Sequence, residues 1–136
     1  METPLGRKPS RPRRDIPAGK PPDATRLREA ALAHLARFGT TEAGLRRVLE
    51  RRVDRWARRA GDEGQLAELI APQVALGKQA AAEVAHALAG VGAVDDAAFA
   101  AARTKRLAQS GRSRRAIAAH LAAKGVDGNT AGPLLE

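Results

Sequence analysis

From Asp23 onward the apolar positions recur at spacings of three and four, the period of a helix buried on one face. Leu27, Ala31, Leu35 and Phe38 form the first such face, and Gly39 ends it. Thr41 has the chemistry of an N-cap, and Leu45, Val48, Leu49, Val53 and Trp56 make the next stripe. The chain breaks around Gly61 to Gly64, and Leu66, Leu69 and Ile70 predict a short helix stopped before Pro72. An Ala-rich helix follows over residues 79–89 with Val84 and Leu88 inward, closed by Gly90 and Gly92. Asp95 and Asp96 can cap the next helix, which carries Phe99 and Leu107 and stops near Gly111. Ser113 caps another, with Ile117 and Leu121 inward, and Lys124-Gly125-Val126 has the form of a Schellman ending. No segment alternates with period two, so the fold class is all-α.

The pattern repeats itself at an offset of 72 residues. Asp23 matches Asp95, Leu27 matches Phe99, Leu35 matches Leu107, Thr41 matches Ser113, Leu45 matches Ile117 and Leu49 matches Leu121. Both caps and four apolar positions agree, which predicts tandem three-helix repeats in an elongated arrangement. The first repeat spans 23–92, with an insertion at about 61–78; the second spans 93–136. Its third helix would begin near Asn129 and is cut short by Gly132, Pro133 and Glu136, so the last repeat reads as incomplete. Residues 1–22 hold six of the eight prolines with six basic residues between them, and read as a disordered basic arm.

Composition narrows what such a fold can do. Alanine supplies 31 of the 59 apolar residues, enough for thin helical cores and too little for a deep barrel or a large α/β sheet. Only Phe38, Trp56 and Phe99 are aromatic, which argues against base-stacking platforms. Cysteine is absent, so disulfides, thiolate metal sites and a Cys nucleophile are excluded. No apolar run reaches the ~20 residues of a membrane span, and the N-terminus lacks the hydrophobic core of a secretory signal, giving a cytoplasmic, non-membrane expectation.

The net charge of +9 is unevenly spread. Residues 1–22 carry six basic and two acidic residues, 23–61 ten and five, 62–102 one and six, and 103–136 seven and two. Two basic blocks therefore flank an acidic middle, which points to an anionic partner. On the helix from Thr41, at ~100° per residue, Leu45, Leu49, Val53 and Trp56 span about 0–80°, and Arg47, Arg51, Arg55 and Arg58 form a row at about 200–280°. Such a row is either a solvated face or an anion-binding face. The second basic cluster is Arg103, Lys105, Arg106, Arg112, Arg114 and Arg115, with Arg112, Arg114 and Arg115 around a helix start where the macrodipole disfavours cations. The candidate partner- or DNA-binding residues are thus Arg47, Arg51, Arg55, Arg58, Lys105, Arg106, Arg112, Arg114 and Arg115. Arg103 falls on the Phe99–Leu107 face, where it would snorkel along the core edge or pair with Asp95 or Asp96.

Thr41, Asp95, Asp96, Ser113 and Gly125 are structural caps rather than chemistry. His34, His86 and His120 have no second ligand at metal spacing, and a triad drawn from Ser110, His120 and Asp95 lacks a nucleophile elbow or oxyanion loop. The expectation is no catalytic residues, no metal and no cofactor.

Asp95-Asp96-Ala97-Ala98-Phe99-Ala100, followed by Leu107, Gly111, Ser113, Ile117, Leu121 and Lys124-Gly125-Val126, resembles the signature of the bacterial regulatory protein RecX family. The first repeat, Ala31-Leu32-Ala33-His34-Leu35 with Thr41 and Leu45-Arg46-Arg47-Val48-Leu49, resembles that family's opening unit. One departure is Gly44, where family members commonly carry an acidic residue. The resemblance implies tandem three-helix repeats, no catalysis, and a monomer that binds the RecA nucleoprotein filament, reaching single-stranded DNA through it, and restrains its activities. The rival readings are a small basic DNA-binding protein of the nucleoid or helix-turn-helix type and a partly folded relic. The helix from Ser113 offers Arg114 and Arg115 followed by alanines, which suits phosphates better than bases.

Overall fold

The computed structural model describes residues 17–136, which form six α-helices and a closing 3-10 turn, with no strand among the described residues. The helices are α1 (Ala24–Leu35), α2 (Glu42–Asp62), α3 (Ala67–Gly90), α4 (Asp96–Gln109), α5 (Arg114–Ala123) and α6 (Gly128–Ala131), with the 3-10 turn at Gly132–Leu135.

Capping chemistry sets most of the starts. Asp23, Thr41, Asp95, Ser113 and Asp127 each sit in extended backbone and accept a hydrogen bond from the N–H three residues on. The 72-residue offset therefore holds at both cap pairs. α5 ends as a Schellman motif: Val126 N–H donates to Leu121 O and Gly125 N–H to Ala122 O, both at 3.0 Å. Gly125 has φ +88°, which L side chains rarely adopt, and a Cβ there would collide with Ala43.

Two separate hydrophobic clusters result. Leu27, Ala31, Leu45, Leu49, Val53, Ala81, Val84, Ala85, Leu88 and Val94 bring α1, α2 and α3 together. Ala100, Ile117, Leu121, Val126 and Ala131 join α4, α5 and α6, with Phe99, Leu107, Leu134 and Leu135 at the edge. The helix expected near Asn129 is thus the four-residue α6, and the 3-10 turn after it supplies the remaining apolar contacts.

Pro72 does not stop a helix. It lies inside the 24-residue α3, so the expected break between a short helix and a helix at 79–89 is absent. The stretch 61–78 is not an intervening loop either: its first two residues finish α2 and residues 67–78 are the first half of α3. A proline removes one backbone bond and costs ~3 kcal/mol in a helix interior, but α3 is held along its length by the antiparallel α2. The contacts step along both helices, with Ile70 near Gly61, Gly77 against Val53, Lys78 paired with Asp54 at 3.1 Å and His86 with Glu42 at 3.1 Å. At Gly77 a Cβ would lie 2.9 Å from a Val53 methyl, so glycine in mid-helix permits this close approach.

Two further expectations are corrected. Phe38 is not a core residue: α1 ends at Leu35, and the ring is 54% exposed, stacked on His34 at 5.0 Å between centroids. Only residues 1–16 of the expected disordered arm lie outside the described residues; residues 17–22 lie on α2. There Trp56 Nε1 donates to Gly19 O at 3.0 Å and Ala18 N–H donates to Glu63 at 2.8 Å. The sparse apolar content of this segment concealed the docking, because polar hydrogen bonds carry it.

Candidate functional site

The two clusters are joined where the start of α2 meets the end of α5 and the start of α4. Thr41, 1% exposed, uses its hydroxyl twice: the oxygen accepts from Gly44 N–H at 2.9 Å to cap α2, and the proton goes to Lys124 O. Arg47 donates to Ala123 O at 2.9 Å. Together with the Schellman pair, this satisfies four consecutive carbonyls, Leu121 to Lys124, at the end of α5. Asp96 does not cap its own helix. Asp95 does that, while the Asp96 carboxylate accepts from Glu42 N–H of α2 at 2.8 Å. The negative end of α5 and a carboxylate therefore both face the positive start of α2, a favourable arrangement of charges.

This joint changes the reading of the arginine row. Arg47 also bridges the repeats: the residue stays exposed, but one of its guanidinium N–H groups is committed to Ala123 O. Arg51 and Arg58 remain exposed. Arg55 is half-buried, and burial pushes its pKa down from the ordinary value, helped by repulsion from Arg52, Arg59, Arg58 and Arg51. Lys105, Arg106, Arg112, Arg114 and Arg115 are all exposed, the last two at the first positions of α5. Among the described residues none of these exposed cations is paired with a carboxylate; the Lys and Arg ion pairs there are Arg46–Glu50 and Lys78–Asp54, and His86 hydrogen-bonds Glu42. Because α5 has ten residues, Arg114 and Arg115 stand roughly 15 Å along its axis from the end that Arg47 grips.

Arg103 runs along the core edge, as the snorkelling alternative has it, and the pairing with Asp95 or Asp96 does not occur. Its guanidinium lies over the Phe99 ring at 4.5 Å and donates to His120 Nε2 at 2.8 Å, not to Asp95 or Asp96. A guanidinium has only donors, so Nε2 must accept and His120 is neutral. Burial lowers the His120 pKa first, with Arg103, Lys124, Arg112 and Arg106 adding repulsion. The Arg103 pKa is also lowered, by burial and then by Arg106.

The sign of the resulting pH dependence is definite. As pH falls through 6.5, the ordinary value, the unfolded chain takes up a proton that the folded chain still refuses. Stability from this site is thus complete above that pH and is lost progressively below it. Denaturation midpoints measured from pH 7.5 to 5 should fall on acidification, and His120→Gln should flatten that slope.

Arg103 and Arg106 also line a cleft of about 700 Å³ between the repeats, with Arg37, Phe38, Asp95 and Phe99 among its walls. Among the described residues no group of three or more His, Asp or Glu is placed to hold a metal ion, and no helix is long and apolar enough to cross a membrane.

A family model described as RecX, second three-helix domain, matches residues 95–132, from the cap of α4 to just past α6. The curated regulatory protein RecX of Myxococcus xanthus (strain DK1622) is 36% identical over 121 residues, 88% of this chain. The chain belongs to the RecX family. The aligned region is 55% of that relative's length, so the chain spans about half of it. No solved structure matches. Within the RecX family match fall Lys105, Arg106, Arg112, Arg114 and Arg115, together with Asp95, Asp96, Ser113 and Gly125. The sequence had not pointed to the Thr41–Lys124 bond or the Arg103–His120 pair as contacts. The misplaced charge of Arg103 on an apolar face was the one available signal.

Proposed function

We propose that this chain is a non-enzymatic regulator of the RecX type that binds the RecA–single-stranded DNA filament and restrains its recombinase, ATPase and coprotease activities. The observation that carries the physical part is the hydrogen-bonded joint at Thr41, Arg47 and Asp96, which holds the two repeats together while their exposed arginines stay unpaired among the described residues. Two cationic surfaces on linked units can bridge neighbouring protomers of a filament, blocking growth or holding it in a state of slow turnover. Family membership is what selects RecA as the partner. The chain acts as a cytoplasmic monomer in this reading.

The test avoids Arg47, whose loss would disturb the joint. Replacing Arg51, Arg58, Arg114 and Arg115 by Ala should leave the helical circular dichroism intact and weaken binding to an assembled filament. The slope of log affinity against log salt should become shallower by about three, at roughly 0.7–0.9 for each lost phosphate contact. Equal affinity in the variant would mean that these arginines only face solvent. Unchanged ATP hydrolysis and filament length at saturating protein would remove the regulatory role. Binding to bare duplex as tight as to the filament would favour the DNA-binding alternative.

A further inference from the structure

The docking of residues 17–22 on α2 builds a pocket of about 260 Å³, lined by Ala18, Lys20, Pro22, Arg26, Arg52, Arg55, Trp56 and Arg59. Among the described residues, five of the eight that line it are cationic and none is acidic. They arrive from three places: Lys20 from the docked segment, Arg26 from the first turn of α1, and Arg52, Arg55 and Arg59 from successive turns of α2. Among the described residues, none of the five is in an ion pair. Glu63, which reaches the docked segment, accepts from Ala18 N–H.

We propose that this pocket is a phosphate-binding site. Like charges gathered in a concavity raise the free energy of the unliganded protein, and an oxyanion entering it removes that repulsion. The half-buried Arg55 feels the crowding most, its pKa held down by burial and by Arg52, Arg59, Arg58 and Arg51. A tetrahedral phosphate fits better than a carboxylate. A carboxylate has two oxygens, which a single guanidinium fork can occupy, whereas phosphate oxygens point in several directions and can accept from arginines on different elements. The volume accommodates a phosphate with part of its hydration. Arg51 and Arg58 line neither this pocket nor the cleft between the repeats.

The site stands apart from the filament reading, because its ligand chemistry is tested without RecA. The phosphate can belong to a nucleic-acid backbone or to a free anion. Trp56 is the chain's one tryptophan and lines the pocket, with its indole N–H bonded to Gly19 O, so its fluorescence is a built-in reporter. The experiment titrates the full chain with inorganic phosphate and separately with an oligothymidylate, against sodium chloride at matched ionic strength. Calorimetry in parallel covers binding that leaves the emission unchanged.

Saturable phosphate binding that falls by about tenfold or more in Arg55→Ala and in Arg59→Ala is expected. Arg55→Lys should recover part of it, and circular dichroism should show all three variants folded. Oligothymidylate competing with phosphate assigns the site to a nucleic-acid backbone; phosphate binding without that competition assigns it to a free anion. A response equal to that of chloride, or equal in the wild type and both alanine variants, overturns the proposal.

Discussion

Leu121→Ala should lower the unfolding free energy of the second repeat by about 2–5 kcal/mol, the range for deleting a buried leucine side chain. Leu121 is fully buried and is the largest side chain to be so in a cluster of only five buried residues, three of them Ala100, Val126 and Ala131. A thin core has few neighbours able to close over the void, which places the expected cost toward the upper half of the range. The first repeat has its own cluster of ten buried residues, so its stability should be much less affected. Trp56 belongs to the first repeat and provides a separate readout. In urea, the transition followed by circular dichroism should broaden or split, with its early phase shifted, while the Trp56 transition moves little. A single transition that both probes report at the wild-type midpoint would show that α5 is not packed through Leu121.

Thr41→Val should destabilise the chain by about 2–4 kcal/mol: ~1 kcal/mol for the lost N-cap and ~1–3 kcal/mol for a carbonyl deprived of its donor. Valine is close in size but puts a methyl where the hydroxyl was, so it removes both hydrogen bonds and sets an apolar group against Lys124 O. Serine at position 41 supplies the same donor and acceptor and should restore most of the loss. The joint makes a second consequence testable. Once Lys124 O has lost Thr41, the hydrogen bonds left between the repeats among the described residues are those of Arg47 and Asp96, and amide exchange at Glu42 and Leu45, whose N–H groups bond Asp96 and Thr41 O, should accelerate. Stability of the valine variant within about 0.5 kcal/mol of wild type, a size ordinary for inconsequential surface changes, would show that the hydroxyl joins nothing.

Both variants probe features that the chain announces to different degrees. Leu121 was legible as an inward residue because helical periodicity and the 72-residue self-match converge on it. The N-caps at Thr41, Asp95 and Ser113 were legible for the same kind of reason: capping is decided within four residues, and the signal is local. Gly125 was legible because a Schellman ending is also local. Pro72 misled because its helix-breaking tendency is a property of the isolated segment, whereas α2, packed along α3, outweighs it. Phe38 misled because periodicity extends a stripe past the point where the helix has ended.

The candidate site divides along the same line. The arginine row on α2 was visible in the helical wheel, but the wheel could not say that Arg47 turns to the end of α5, or that Arg55 joins Arg52, Arg59, Arg26 and Lys20 around a pocket. Asp96 shows the difference within a pair of neighbours: Asp95 caps its own helix as its position suggests, and Asp96 caps another helix 54 residues away. All-helical repeats, their caps and most of their inward residues follow from the order of residues, because propensity, capping and periodicity act within a turn or two. Which cations remain available to a partner depended on the tertiary fold, because helix ends brought together from distant parts of the chain compete for the same side chains.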